Sequence, residues 1–489
     1  MVESYFKELK KYSLSDIAKK LNEHNLSKLR NALKNQPYIN EEKGMYSFNY
    51  VGVMVIDNYV FRCFPKYMKH EINDRLEDCF KRLLKVIKKA AKESPELDWG
   101  NVDANEYNFL PLAILIIEDY HAYGLYTNDY EYIEDDGDGE TLWEETAIHN
   151  TPMYINGSYI YGSVLTLDVD IDEADFVQNI HKIVLSECTQ KLQEQDLIDL
   201  FDISPVFLTD KRIKDIGTAD YVISRLNNEL KTQYNSQKQN IIKYLIKYIE
   251  NEYLNADSGV SGYLKQAYYG VELFWAVWEE VCKQVFDGSI NRTLSEIPLN
   301  SSFKASDKYK NNANKKLAEL IDKPIWFKGE GEKELRAESD TYKPDLICIY
   351  KKDADSDDDD MGNFVFAIFD AKYYYFDIEA ANNEASINAK FTDDSKHPGL
   401  GDVTKQFIYQ QAYKKFVDMQ KYGDFYNAFL CPFDGDTYKF GKVKFDLIQK
   451  MTSQSLKDIF VIRVNADEIY QKYLSNRKIT DINEYLKIK

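Results

Sequence analysis

The sequence predicts a multidomain protein of the α/β and α+β classes: a β-rich amino-terminal region, a helical connector and a carboxy-terminal α/β core. Three observations support this. Short alternating apolar runs separated by turn residues are frequent before residue 216, helical periodicity continues through 216–258, and two apolar strands followed by a helix stand near the carboxyl end. A chain of 489 residues can form two to four domains, each with its own core.

We predict four segments on this basis. They are a small helical element at 1–45, a β-rich, partner-binding domain at 46–215, a helical connector at 216–258 and an α/β domain at 259–489.

The composition limits the classes of function. The six cysteines form no CxxC pair, so we predict buried thiols in a reducing compartment rather than a disulfide or zinc framework. No signal peptide and no apolar run near 18 residues is found, so we expect a soluble, cytoplasmic protein without a membrane partner. The net charge of -19 argues against a protein that coats DNA by itself, because phosphate contacts need a basic surface.

The first 35 residues predict two short helices. Ser13 and Asp16 have the spacing of a capping box, and Asn25 can cap the second helix. A strand hairpin follows, so one interpretation is a winged-helix module. The other is a packing or protein-docking element, because the second helix carries few basic residues.

A β-hairpin is predicted at 48–64. Apolar residues run through 51–56, and Asp57-Asn58 makes a tight turn into the second strand. Here the sequence resembles the amino-terminal region of McrC-like proteins, including the LlaJI-type restriction endonucleases. The matching residues are Phe48, Val51, Gly52, Val53, Pro65 and Lys66, with Phe64 in place of a leucine.

Helices are predicted at 71–91 and 109–123, and strands and turns follow them. Gly137, Gly139, Trp143 and Thr146 resemble another LlaJI-type signature. We interpret it as a structural turn that leads into a strand, since its glycines do not join a strand to a helix as in a phosphate-binding loop. The histidines share no metal-ligand spacing and are predicted to be solvated or core residues.

One amphipathic helix is predicted over 262–286, with Phe274, Trp275 and Trp278 on its apolar stripe. At about 100° per residue, Glu279 falls at the margin of that stripe and Glu280 points away.

The stretch 342–376 carries the candidate chemistry. Two apolar runs flank an acidic insert, which predicts a pair of strands with a solvated connection. Asp345, Asp370 and Lys372 interrupt the runs, and side chains two apart on a strand share a face. Carboxylates beside apolar residues need a partner, and a divalent metal held by the two aspartates would be one. Hard oxygen ligands suit Mg²⁺, with Mn²⁺ as a substitute. Partial burial is expected to lower the pKa of Lys372, so that it orients or activates water.

The order Pro344-Asp345, then Asp370-Ala371-Lys372, resembles the PD-(D/E)xK nuclease superfamily. The resemblance implies a restriction-endonuclease-like α-β-β-β-α-β core. It also implies that Asp345 and Asp370 bind metal, that the Ala371 carbonyl adds a ligand, and that Lys372 is catalytic. A glutamate on the first helix of such cores often completes the metal site, and Glu279 fits better than Glu280.

A further helix is predicted after residue 402, where Asp402 can serve as its cap. Gln406, Tyr409 and Gln410 share one face of this helix. Superfamily members often carry a glutamine-tyrosine pair there, near metal and phosphate, which implies a catalytic role for Gln406.

Together these resemblances imply a Mg²⁺-dependent endonuclease acting on double-stranded DNA, a subunit of a bacterial restriction or anti-phage system. They also imply a McrB-like AAA+ GTPase as partner, which would capture the DNA that so acidic a chain does not. Two alternatives stay open. The chain could be a catalytically inactive activator or scaffold of that GTPase, or an acidic DNA mimic that inhibits DNA-binding proteins.

Overall fold

The structure is a computed structural model. It describes residues 4–68, 74–93, 107–127, 129–171, 176–254, 266–328, 335–352, 360–380, 389–392, 397–451 and 456–487.

The helices are α1 (Leu14–Leu21), α2 (Leu26–Leu33), α3 (Asp74–Glu93), α4 (Phe109–Tyr123), α5 (Trp143–His149), α6 (Phe176–Glu194), α7 (Ile213–Ile216), α8 (Ala219–Thr232), α9 (Ser236–Ile249), α10 (Phe274–Val285), α11 (Ser301–Lys304), α12 (Asp307–Lys310), α13 (Leu400–Gln420), α14 (Asp446–Met451), α15 (Ala466–Leu474) and α16 (Ile482–Leu486). In this part of the chain, no helix combines the length and hydropathy needed to cross a bilayer.

The strands are β1 (Tyr5–Lys7), β2 (Tyr12–Ser13), β3 (Ile39–Glu42), β4 (Met45–Phe48), β5 (Val51–Ile56), β6 (Tyr59–Phe64), β7 (Asp129–Asp135), β8 (Glu140–Thr141), β9 (Met153–Ile155), β10 (Ser158–Ile160), β11 (Leu165–Ile171), β12 (Gln266–Val271), β13 (Ile325–Lys328), β14 (Leu335–Glu338), β15 (Leu346–Lys351), β16 (Phe364–Ala371), β17 (Ile378–Ala380), β18 (Ala389–Phe391), β19 (Asp424–Phe433), β20 (Tyr438–Val443) and β21 (Ile459–Asn465). The predicted mixture of helices and sheets in a multidomain chain is therefore confirmed.

The chain divides into two compact units. The first comprises Met1–Val53, Phe61–Asn101 and Gly270–Lys489, and the second comprises Met54–Val60 and Val102–Tyr269. In the second unit, α4, α6 and α9 pack on one another and α8 packs on α9, while β7, β11 and β8 form a separate sheet. The first unit contains the residues of the candidate site.

Local signals near the amino terminus form as predicted. The Ser13 hydroxyl accepts from the Asp16 N–H at 3.1 Å, and the Asp16 carboxylate accepts from the Ser13 N–H at 3.0 Å, which completes the capping box of α1. Asp57 and Asn58 have φ of 46° and 71°, so the turn between β5 and β6 has the left-handed backbone that a two-residue hairpin needs.

The prediction of one helix over 262–286 is wrong in its first half. Residues 266–271 form β12, which lies beside β5 in the sheet of order β1-β6-β5-β12, and the helix begins only at Phe274. A Cβ on Gly270 would lie 2.2 Å from the Val51 carbonyl oxygen, so this close pairing requires a glycine. Trp275, predicted on the apolar stripe, is 48% exposed.

A five-stranded sheet of order β15-β16-β19-β21-β20 forms the core of the first unit. β15 and β20 are antiparallel edge strands, and β16, β19 and β21 are parallel. All eight residues of β16 are buried, as expected for a central strand covered on both faces. Helix α13 covers one face through Tyr409 and Tyr413, and Phe286 packs on Phe369 of the other.

The order of elements departs from α-β-β-β-α-β on both sides of the β15–β16 pair: between α10 and β15, the strands β13 and β14 pair with each other outside the five-stranded sheet. After β16, the next strands, β17 and β18, pair only with each other and stand outside the five-stranded sheet. The chain then enters α13 and returns to the sheet as β19.

Candidate functional site

Strand register brings the two aspartates together. β15 and β16 are antiparallel with Leu346 opposite Phe369, so the preceding residue, Asp345, lies opposite Asp370. The Asp345 carboxylate accepts a hydrogen bond from the Ala371 N–H at 3.1 Å, and Asp370 is close enough to raise the pKa of Asp345. Asp370 is 5% exposed. The acidic pair thus sits at the end of a buried strand, where like charges repel unless a proton or cation separates them.

Lys372 completes this group from just beyond the end of β16. Its Nζ lies 2.9 Å from Asp370 Oδ1 and 3.5 Å from Asp402 Oδ1. The backbone at Lys372 is anchored as well, because its N–H donates to the Leu430 carbonyl at 3.0 Å and its carbonyl accepts from the Tyr374 N–H at 2.9 Å. The structure therefore brings together Asp345, Asp370 and Lys372, which are 27 positions apart at most.

Burial and the neighbouring Asp370 carboxylate make Asp345 a weaker acid than usual. Burial, followed by the hydrogen bond and the negative charge of Asp370, raises the pKa of Asp345 to about 8, although Lys372 and Lys283 oppose this shift. A bound cation would relieve the same repulsion that raises this pKa.

The expected lowering of the Lys372 pKa is wrong. Burial does lower the pKa of Lys372, but the negative charges of Asp370, Asp345 and Asp402 outweigh burial, and the pKa is raised above its usual value. The carboxylates beside Lys372 therefore favour its ammonium form, which can orient a phosphate or a water and offset negative charge.

Glu279 is near this group without touching it directly. Its carboxylate pairs with the Lys283 ammonium at 2.6 Å, one helical turn further along α10. Burial lowers the pKa of Lys283, yet the charges of Glu279 and Asp345 raise it overall, so Lys283 stands in the field of both carboxylates. Glu280 accepts from the Gln284 amide at 3.0 Å instead.

Gln406 is fully buried on the face of α13 that packs on β19. It is 0% exposed, and its Nε2 donates to the Ala428 carbonyl at 3.3 Å, while its Oε1 has no hydrogen-bond partner among the described residues. Its neighbours on the same face, Tyr409 and Gln410, are also buried, so this face of α13 packs on the sheet. The catalytic role implied for Gln406 stays a prediction.

Two charged residues of the site were missed as functional residues. Asp402 was assigned only as a helix cap. It does accept from the Gly399 N–H at 3.1 Å, but it also contacts Lys372. Lys283 was not singled out, because a lysine on an amphipathic helix is typical of a solvated surface.

The residues present fit a magnesium ion. Mg²⁺ is commonly held by one or two carboxylates while water and substrate oxygens complete its octahedron, and Asp345 with Asp370 provides that pair. Among the described residues, no group of three or more histidine, cysteine, aspartate or glutamate side chains is arranged to hold a metal. All six cysteines are free thiols. The donor set is thus the all-oxygen pair, with Glu279 and the Ala371 carbonyl as predicted additions.

The family model and the curated protein that match this chain both belong to restriction enzymes. The family model of the LlaJI restriction endonuclease matches residues 50–316 and 304–467, which is most of the chain. A curated relative, the type II restriction enzyme BsuMI component YdjA of Bacillus subtilis (strain 168), is 27% identical over 445 residues, covering 89% of this chain and 83% of the relative.

Two solved structures of Thermococcus gammatolerans proteins are also similar in part. One is a half-complex of McrB AAA+ hexamers with bound McrC, at 12% identity, TM-score 0.36 and coverage of 96% of this chain and 99% of the other. The second is the McrBC complex, at 12% identity, TM-score 0.25 and coverage of 57% and 86%. The family match, which spans well over half of the sequence, shows that the chain belongs to the LlaJI restriction endonuclease family.

Proposed function

We propose that this restriction-system subunit is a Mg²⁺-dependent endonuclease that hydrolyses phosphodiester bonds of double-stranded DNA through a PD-(D/E)xK core. One observation carries the proposal: Asp345, Asp370 and Lys372 converge at the end of a buried central strand. The five-stranded sheet, with α10 before it in the chain and α13 after β16, supports the nuclease core.

Each residue has a separate task in this reaction. Asp345 and Asp370 would hold the metal, which when bound supplies Lewis-acid stabilisation of the phosphate and a more acidic water. Lys372, kept protonated by its carboxylate neighbours, offsets charge that develops on the phosphate oxygens. Asp402 also contacts the Lys372 ammonium group, which limits its rotation.

We further propose that the chain acts with a DNA-capturing partner of the AAA+ GTPase class. The net charge of -19 supports this, because an acidic surface repels the phosphate backbone and a second subunit must then supply the affinity. A DNA-mimic inhibitor, the charge-based alternative, would display its carboxylates in solvent, whereas Asp370 is buried.

The test is cleavage of linear duplex DNA with Mg²⁺ or Mn²⁺, with and without the partner GTPase. Asp370→Ala and Lys372→Ala should each reduce cleavage at least about a hundredfold, because each removes charge stabilisation of the transition state. Calorimetric titration with Mg²⁺ should show binding to the unaltered chain and none to Asp370→Ala.

The chain offers a matched control in the same sheet. Asp424 on β19 pairs with Lys352 at 2.9 Å, the same distance as the Asp370–Lys372 pair, near the opposite end of β16. Asp424→Ala and Lys352→Ala should leave cleavage unchanged. Undiminished cleavage by both site variants would show that the reaction takes place elsewhere, and metal-independent cleavage would refute the mechanism.

A further inference from the structure

A buried carboxylate from the amino terminus contacts the residue that follows Lys372. Glu8, just after β1, is 5% exposed and accepts a hydrogen bond from the Tyr373 hydroxyl, across 365 positions of sequence. Tyr373 is itself 6% exposed and packs against the ring of Phe274 at 5.2 Å between centroids. Burial, then the Glu8 carboxylate, raises the pKa of Tyr373 well above its usual value, so its phenol stays protonated and remains a donor.

The Pro65-Lys66 motif joins the same contact. The Lys66 N–H lies 3.2 Å from Glu8 Oε2 and 3.2 Å from the Tyr373 hydroxyl oxygen. The Lys66 ammonium lies 4.3 Å from the centroid of the Tyr373 ring, within the range of a cation–π interaction. The motif by which the amino-terminal region resembles its family therefore ends against the loop that carries Lys372.

The buried Glu8 carboxylate is hard to explain by stability alone. Burying a carboxylate is unfavourable, and hydrogen bonds to it recover only part of that cost, so an apolar side chain at position 8 would serve stability alone as well. Glu8 differs from an apolar residue in one respect, because it accepts from Tyr373 in a single geometry. Because Tyr373 follows Lys372 directly in the chain, fixing the Tyr373 side chain restricts the position of the Lys372 backbone, from which the Lys372 side chain extends.

We propose that Glu8 is a positioning residue for Lys372: through Tyr373 and the Lys66 N–H, the amino-terminal segment holds the loop that carries the Lys372 ammonium against Asp370. This inference rests on the proposed nuclease function for its catalytic consequence, but its structural content concerns the Lys372–Asp370 contact alone. A displacement of about 1 Å at a reacting group can reduce the rate by as much as a hundredfold.

The kinetic test compares three variants of the full chain. Tyr373→Phe removes the phenol, Glu8→Ala removes the acceptor, and Glu8→Gln keeps an oxygen that can accept from the phenol. We expect kcat to fall about tenfold or more in the first two, with KM within about twofold, and Glu8→Gln to restore kcat to within about threefold of the unaltered chain.

Tyr422→Phe is the matched control. Tyr422 is also buried, at 9% exposure, and donates to the Pro298 carbonyl at 2.6 Å, but it packs on Phe366 at the other end of β16. Tyr422→Phe and Tyr373→Phe should reduce the melting temperature to similar extents, and only Tyr373→Phe should reduce kcat. Equal kcat in the two variants, whether reduced or unchanged, overturns the proposal.

A second readout separates this inference from the nuclease proposal. Acetylation of Lys372, followed by mass spectrometry against exposed Lys304 as internal reference, reports whether the ammonium stays in its ion pair. We expect acetylation to be at least threefold faster in Tyr373→Phe and Glu8→Ala than in the unaltered chain or Tyr422→Phe. If the unaltered chain cleaves no DNA but this difference is found, the nuclease proposal fails and the positioning contact stands. An unchanged acetylation rate in both variants overturns the positioning contact whatever the cleavage assay shows.

Discussion

The Lys372 side chain is surrounded by three carboxylates, and their combined charge decides its chemistry. Burial alone would favour the neutral amine, which is the form expected from its position beside an apolar strand. Asp370 at 2.9 Å, Asp345 and Asp402 at 3.5 Å together outweigh the effect of burial and raise the pKa of Lys372. The residue is thus suited to electrostatic stabilisation of a phosphate.

At the same scale, His181 predicts a pH dependence of stability. It is 0% exposed on α6, its Nδ1 accepts from the Tyr126 N–H at 3.1 Å, and burial lowers its pKa from 6.5 to about 4. Between these values the unfolded chain binds the proton and the folded chain does not. The contribution of His181 to the free energy of unfolding is therefore fully present above pH 6.5. It decreases by about 3 kcal/mol as the pH falls towards 4.

Urea unfolding of the chain between pH 4 and 7 measures this effect. His181→Asn, which keeps an acceptor for the Tyr126 N–H, should flatten the profile over that range. His149, whose side chain is 63% exposed, provides the control, and His149→Gln should leave the profile as it is. A profile with the same slope in His181→Asn and the unaltered chain would show that another group is responsible.

At the scale of elements, the pairing of β16 with β19 depends on a close backbone approach where the two strands begin. Gly423, just before β19, donates its N–H to the Phe364 carbonyl at 2.9 Å. A Cβ there would lie 1.8 Å from the Gly362 carbonyl oxygen, which is backbone and cannot move aside cheaply. The start of β19 is thus held against the start of β16 by the absence of a side chain.

Gly423→Ala should therefore destabilise the chain by roughly 1–3 kcal/mol, as insertion of an atom into a well-packed region does. Gly441 on β20 belongs to the same sheet and has no atom within 4 Å of an added Cβ, so Gly441→Ala is the control. Thermal unfolding followed by circular dichroism compares the two. Equal melting temperatures for both variants would contradict the packing argument.

The charge of the whole molecule sets its relation to DNA. Each of the few basic groups at the candidate site is already paired: Lys372 with Asp370, and Lys283 with Glu279. With a net charge of -19, the chain as a whole repels the phosphate backbone of a duplex. This is the physical reason for assigning DNA capture to a second subunit.

We accordingly expect the isolated chain to bind duplex DNA more weakly than about 1 μM at physiological salt, the strong end of non-specific binding. Fluorescence anisotropy with the inactive Asp370→Ala variant measures this without cleavage. Adding the partner GTPase should increase the affinity at least about tenfold. Submicromolar binding by the chain alone would remove the need for a partner in DNA capture.

Sequence patterns predicted those features that depend on near neighbours. The capping box at Ser13, the hairpin turn at Asp57-Asn58 and the strand pair around residues 346–371 are each specified by a few adjacent residues, and each forms as predicted. The grouping of Asp345, Asp370 and Lys372 was accessible for the same reason, because a single antiparallel register brings them together. The family resemblance rested on short motifs of this kind and is confirmed by the family match.

Other features depend on residues far apart in the sequence, and only the tertiary structure decided them. Residues 266–271 carry a pattern that a helix could extend, and pairing with β5 makes them a strand. Lys372 contacts Asp402, 30 positions away, and Tyr373 donates to Glu8 at the amino terminus. Local sequence determined which side chains carry the chemistry; packing decided their environment, because solvation and charge at a site depend on every element that surrounds it.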